Sequence, residues 1–159
     1  PDEEFSQALK TYKPLPHRME YVGTIDGVRY YDDSISTICE TTIQALSSIP
    51  KVDAVLIGGM DRGIDYGPLE EYLSSSQVKF IILMAETGKR IYQEIMEKNT
   101  SFRKKERLIR RDTLEEAVAY AKEVCHPGSC CVLSPAAASY GIFRNFEERG
   151  DVFKKLVKE

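Results

Sequence analysis

Between Lys51 and Ala85 the chain carries two runs with hardly a polar position, VDAVLIGG and VKFIILM. Apolar runs of this length without alternation predict strands buried on both faces, as in parallel sheets. Elsewhere the period lengthens. TICETTIQALSSI, the stretch near PLEEYLSS, TGKRIYQEIMEKN and DTLEEAVAYAKEVC place apolar residues at helical spacing. Thr37 or a neighbour is the expected cap of the first of these helices, and Asp112 or Thr113 that of DTLEEAVAYAKEVC. ERLIRR and SCCVLSP predict two further strands. IFRNFEERGDVFKKLVKE predicts a final helix, with Phe143 and Phe146 three positions apart on it. Near the start, MEYVGTI and VRYYDD flank Asp26–Gly27, a strong hairpin signal. Before that, EEFSQALKTYK spaces Phe5, Ala8 and Leu9 helically, until Pro14 and Pro16 end it. An opening hairpin followed by alternating strands and helices predicts an α/β domain. Its sheet should be mainly parallel, of about six strands, with helices on both faces.

Composition keeps this picture to one domain. The chain has 159 residues, 42% of them hydrophobic and 30% charged, which suits one globular unit with a real core. A net charge of −3 argues against nucleic acid or a membrane surface as the main partner. No apolar stretch approaches the roughly 18 residues that span a bilayer. The opening PDEEFSQALKTYK is acidic and amphipathic, not a signal peptide, and it lacks an initiator Met; a domain excised from a longer protein is the expectation. Cys125, His126, Cys130 and Cys131 crowd into CHPGSCC, but the spacing matches no zinc pattern, and Cys130 and Cys131 should face opposite sides of their strand. With Cys39 they read as buried free thiols, and reduced thiols suit the cytoplasm. No metal site is assigned.

In open α/β sheets ligands bind beyond the carboxyl ends of the strands. Four loops qualify: DDSIST (32–37), GGMDRGIDYG (58–67), AETGKR (85–90) and SPAAASYGIFRNF (134–146). Asp32 and Asp33 could accept hydrogen bonds from a ribose, hold a metal, or cap the next helix. Gly58 and Gly59 allow close backbone approach, with Arg62 in reach of the same rim, or they form a plain turn. AETGKR lacks the full phosphate-loop pattern and reads as a helix start. The small residues Ala136, Ala137, Ala138 and Ser139, near a helix N-terminus, would let backbone N–H groups face an anion.

PLPHRMEYVG, DDSIST, GGMDRGIDY and LSPAAASYGIFRNFEERG, in this order, resemble the C-terminal domain of the Mur ligases from about Pro14 to Glu159. The resemblance is greatest to the branch that joins D-glutamate to UDP-N-acetylmuramoyl-L-alanine. Other branches carry a Tyr-Ala-His type motif where this chain has Ser34–Ile35–Ser36, or an Asp-Asn-Pro-Arg signature absent here. It implies a Rossmann-like three-layer domain spanning 1–159, with 1–13 as a leading helix or linker. The UDP-binding and central ATPase domains of the family would lie outside this chain. ATP, with Mg2+ held by the central domain, would turn the substrate carboxylate into an acyl phosphate that the D-glutamate amine attacks. Alone, the domain should be inactive.

By the same resemblance Arg18 and Asp33, with His17 beside them, match nucleotide-contacting positions. Thr37, Arg62, Ser139 and Phe146 match positions that hold the carboxylates of D-glutamate, with Tyr140 and Asn145 adjoining. Lys is common in the family where Arg62 stands, and a guanidinium can grip a carboxylate equally well. Ile35, which replaces a phosphate-contacting Lys of some members, is excluded. The expected partners are the three small-molecule substrates and the central domain of the same polypeptide. A folylpolyglutamate synthase-type glutamate ligase and a stand-alone nucleotide- or amino-acid-binding module remain the alternatives.

Overall fold

A computed structural model describes residues 15–159. The helix expected in EEFSQALKTYK lies outside the described residues. Among the described residues six strands form one sheet: β1 (Glu20–Ile25), β2 (Val28–Asp32), β3 (Val52–Gly58), β4 (Phe80–Met84), β5 (Leu108–Arg110) and β6 (Cys130–Leu133). Their order is β1-β2-β6-β3-β4-β5, parallel throughout except for the β1–β2 hairpin. Asp26 and Gly27 turn that hairpin with φ of 53° and 81°, the pair of left-handed conformations a tight two-residue turn needs.

Helices α1 (Cys39–Ser48), α2 (Gly67–Ser75), α3 (Ala85–Glu97), α4 (Leu114–Val124) and α5 (Phe146–Lys158) sandwich the sheet. Strand β3 shows why both faces are covered. Val55 and Ile57 join Leu46, Leu69, Leu73 and Ile91 in one core, from α1, α2 and α3. Ala54 and Leu56 join Leu114, Val118, Phe153 and Val157 in the other, from α4 and α5. Cys130 and Cys131 divide between these two cores as neighbours on a strand must.

Three boundaries differ from the sequence reading. Helix α1 opens at Cys39, with Ile38 at the cap and no side-chain cap bond, so Thr37 does not cap it. The nearby hydroxyls are spent elsewhere, Ser36 on Asp33 and Thr41 on the Ile38 carbonyl. Helix α3 starts two residues before Thr87, directly at the end of β4, through Ala85 at φ 55°. The last helix starts only at Phe146, so Phe143 precedes it. Gly141 at φ 91° turns the chain, and the Phe143 amide donates to the Ser139 carbonyl at 2.9 Å, closing a turn that stops the helix from extending back.

Parallel register brings the carboxyl ends level. Asp32 and Leu56 both pair with Leu133, and Gly58 pairs with Met84. Loops 32–37, 58–67 and 134–146, and the start of α3 that holds 85–90, therefore open on one rim.

Candidate functional site

Hydrogen bonds stitch these rim loops together. The Ala136 amide donates to Ser36 O (3.0 Å), the Gly58 amide to Pro135 O (2.9 Å), and the Met60 amide to Ala138 O (2.9 Å). Thr37, Arg62 and Ser139 thus each stand one or two residues beyond a stitch. Ala136 itself sits at φ 53°, a conformation costing a non-glycine residue roughly 1–2 kcal/mol. Its carbonyl accepts the Tyr66 hydroxyl at 2.5 Å, so packing on both sides holds the strained turn.

Asp32 and Asp33 are buried and turn inward. Asp33 Oδ1 accepts the Met19 amide at 3.0 Å; Oδ2 accepts the hydroxyls of Ser36 and Ser134, each at 2.6 Å. Burial still pushes its carboxyl pKa above the usual range, with the serine and amide donors opposing. Asp32 accepts the Ser34 amide at 2.9 Å and lies 2.7 Å from His17 Nδ1. Burial raises its pKa too, against the pull of Ser34, His17 and Lys154.

His17, on the nucleotide side of the sequence assignment, is itself buried, its ring edge-on to Phe146 at 6.1 Å. What it does here is fix a turn. His17 and Met19 take φ of 67° and 44°, and Arg18 between them points outward, its side chain without a protein partner among the described residues. Arg18 and Asp33 border a small pocket with Ile35, Ser36 and Thr41. Ile35 therefore stands at the place assigned to the nucleotide, although its side chain offers no polar contact.

Arg62 is exposed, and its guanidinium likewise meets no partner among the described residues. Ser139 lines a separate cleft of about 340 Å³ with Gly59, Ala138, Thr113 and Arg149. Tyr140 is 59% exposed, and Phe146 half-buried with its carbonyl accepting the Ser34 hydroxyl at 2.7 Å. Asn145 is the cap of α5, its Oδ1 accepting the Glu148 amide at 2.8 Å. The residues assigned to D-glutamate thus share a rim and not one closed cavity.

Arg149 was not among the sequence candidates. It is only 2% exposed, and donates from Nε to Ser34 Oγ (3.0 Å), Nη2 to Ser34 O (2.7 Å) and Nη1 to Ala137 O (3.0 Å). Burial lowers its pKa to about 10, with Asp32 opposing, so it stays cationic at neutral pH. It ties the 134–139 loop to the 32–37 loop. A sequence signal existed: a basic residue followed by glycine in a helix's first turns, where acids are favoured.

His17, Glu20 and Asp32 also place their ligand atoms within 4.8 Å of one another. The Lys154 ammonium already lies 2.8 Å from Glu20 and 4.0 Å from Asp32. Magnesium demands open oxygen ligands, so this cluster does not fit it.

A family model described as Mur ligase, glutamate ligase domain, matches residues 17–137. The chain belongs to the Mur ligase family. UDP-N-acetylmuramoylalanine–D-glutamate ligase of Chlamydia abortus is 38% identical over 159 residues, covering 100% of this Mur ligase chain and 36% of that protein. The ligase of the same name from Aquifex aeolicus is 37% identical, covering 98% of this chain and 36% of that protein. The chain spans about a third of the length of these curated relatives. Among solved structures, a murein peptide ligase from Psychrobacter arcticus matches with a TM-score of 0.59 at 13% identity, covering 95% of this chain and 32% of the other. A bifunctional folylpolyglutamate synthase/dihydrofolate synthase from Yersinia pestis matches with 0.60 at 12% identity, covering 90% and 32%. At such identities the two structures show the fold alone. No helix among the described residues of this Mur ligase domain is long and apolar enough to cross a membrane.

Proposed function

We propose that this chain is the C-terminal domain of a cytoplasmic UDP-N-acetylmuramoylalanine–D-glutamate ligase in peptidoglycan precursor synthesis. The observation that carries this reading is identity near 38% to D-glutamate ligases along the whole chain. Arg18 and Arg62, two cations on one rim without a partner among the described residues, support it. In the complete enzyme ATP, with Mg2+ bound outside this chain, activates the carboxylate of UDP-N-acetylmuramoyl-L-alanine as an acyl phosphate. D-Glutamate brings two carboxylates and an amine. Arg62, Thr37 and Ser139 hold the carboxylates, with Phe146, Tyr140 and Asn145 beside them, so that the free amine faces the acyl carbon and phosphate departs. Arg18 pairs with the nucleotide phosphates, while His17 and Asp33 fix its turn and complete that side. The central ATPase domain closes on this rim, and the isolated domain has no activity.

The fold alone serves folylpolyglutamate synthase equally well. Substrate choice separates the two: the full-length protein should turn over the UDP-muramoyl substrate and not a pterin. Steady-state kinetics with each substrate varied tests the residues. Arg62→Ala should lower kcat/KM for D-glutamate by about 10- to 150-fold, the range for a charged hydrogen bond, with KM for ATP little changed. Arg62→Lys should recover much of that loss, because the charge returns and only the forked geometry is missing. Arg18→Ala should show the opposite pattern. A D-glutamate kcat/KM within about twofold of wild type in Arg62→Ala would remove Arg62 from the pocket.

A further inference from the structure

The AETGKR stretch remains without a role in this scheme, and its arginine has an unusual set of partners. Arg90 Nε donates to Asp61 Oδ2 at 2.7 Å, and Nη2 to Asp61 Oδ1 at 2.9 Å, the forked geometry that best fixes a carboxylate. Nη2 also donates to the Ile64 carbonyl at 2.9 Å. The guanidinium lies 5.0 Å from the centre of the Tyr66 ring. One side chain therefore grips the rim loop one residue before Arg62, two residues after it, and again at Tyr66. Inside this grip the Gly63 amide donates to Asp61 Oδ1 at 2.9 Å, with Gly63 at φ 74°. Arg90 stands on α3, whose Ile91 and Ile95 are fully buried, so the anchor is rigid. Tyr66 in turn reaches Ala136 O, on the loop that carries Ser139.

We infer that Arg90 is a positioning residue: it straps the 59–66 loop to α3 so that Arg62 is presented to the amino-acid carboxylate. Arg90 touches no substrate. Its effect runs through Asp61, Ile64 and Tyr66, and it restricts the conformations the exposed Arg62 must lose on binding. Asp61 is held ionised for this task, the Arg90 contact pulling its pKa below the ordinary range. The nearby Glu94, 3.4 Å from Nη1, adds a weaker contact from the same helix. The inference rests on the assignment of Arg62 above.

The test has two arms on the full-length protein. In the first, hydrogen–deuterium exchange is followed in Arg90→Gln, and the 59–66 segment should exchange faster while 17–36 stays as in wild type. In the second, Arg90→Gln should raise KM for D-glutamate about tenfold, the low end for a lost charge-assisted bond, with KM for ATP within about twofold. Arg90→Lys, which keeps the charge and loses the fork, should fall between. Unchanged exchange in 59–66 overturns the strap whatever the kinetics show. Equal loss against both substrates, or loss of the fold in both variants, makes Arg90 merely structural and overturns it too. If Arg62→Ala impairs D-glutamate use and Arg90→Gln does not, the inference falls and the function stands. If Arg62→Ala is silent, the assignment of Arg62 falls, and the inference that Arg90 presents it falls with it.

Discussion

At Asn145 one side chain carries a choice between two roles, pocket and cap, and the geometry weighs on the second. Its backbone is extended, at φ −162°, and its Oδ1 takes the Glu148 amide, one of the orphan donors at the start of α5. Glu147 and Glu148 in the first turn add favourable charge at the helix's positive end. Asn145→Ala should therefore cost roughly 0.5–2 kcal/mol of stability in urea melts, and Asn145→Asp almost nothing. An Ala variant as stable as wild type would sink the capping role. The consequence reaches the rim, because the next residue, Phe146, meets Ser34 through its carbonyl, and Arg149 meets Ser34 one turn later. A frayed α5 would loosen two loops of the site.

Helix α2 ends differently. Gly67 and Pro68 open it, as proline at a first turn does, but at its far end no glycine closes the carbonyls. Arg107, from the short 3-10 turn Lys105–Arg107 before β5, does this work. Its guanidinium donates to Leu73 O (3.2 Å), Ser74 O (3.3 Å), Ser76 O (3.2 Å) and Val78 O (3.0 Å). A cation at the negative end of a helix is also electrostatically placed. Burial, the leading cause, lowers its pKa, with the neighbouring Glu106 opposing and Arg103 adding to the shift. Arg107→Ala should destabilise by about 1–3 kcal/mol, the cost of leaving such carbonyls unpaired. Lys in its place should recover under half, since an ammonium cannot span the four oxygens. Denaturant melts of the three proteins check this; an Ala loss under about 0.5 kcal/mol contradicts it.

Across the molecule the buried ionisable groups set how stability varies with pH. Glu70 on α2 is buried beside Glu94 of α3; burial first, then the neighbouring carboxyl, pushes its pKa from an ordinary 4.5 to about 7, against the Asn99 amide bonded at 3.0 Å. Between these two values the folded protein keeps a proton that the unfolded chain releases. Stability therefore falls as pH rises through that window. Glu70→Gln removes the ionisation and keeps an acceptor for Asn99. Its Tm should exceed that of wild type at pH 8 and match it at pH 4.5. Equal Tm differences at both pH values would show that Glu70 titrates normally.

Short-range chemistry in the sequence determined the elements and their alternation. Asp26–Gly27 makes the hairpin because two left-handed residues in a row favour that pair. Thr113 caps α4 by accepting the Glu116 amide, as its place before the apolar period predicts. The unbroken run of β3 required cover on both faces, and the parallel sheet placed three loops and the start of α3 on one rim. Which side chains of those loops face a ligand was decided only by the tertiary structure. Asp33 spends its carboxylate on a serine 101 residues away, and Arg149 reaches a serine 115 residues back. Neither pairing has a local signature, because each exists only after β6 has inserted between β2 and β3. The start of α5 also escaped the periodic pattern, since Phe143 suits a helix and a core equally well. A hydrophobic period says which residues are buried; hydrogen-bond partners depend on which distant chain segments the strand order brings alongside.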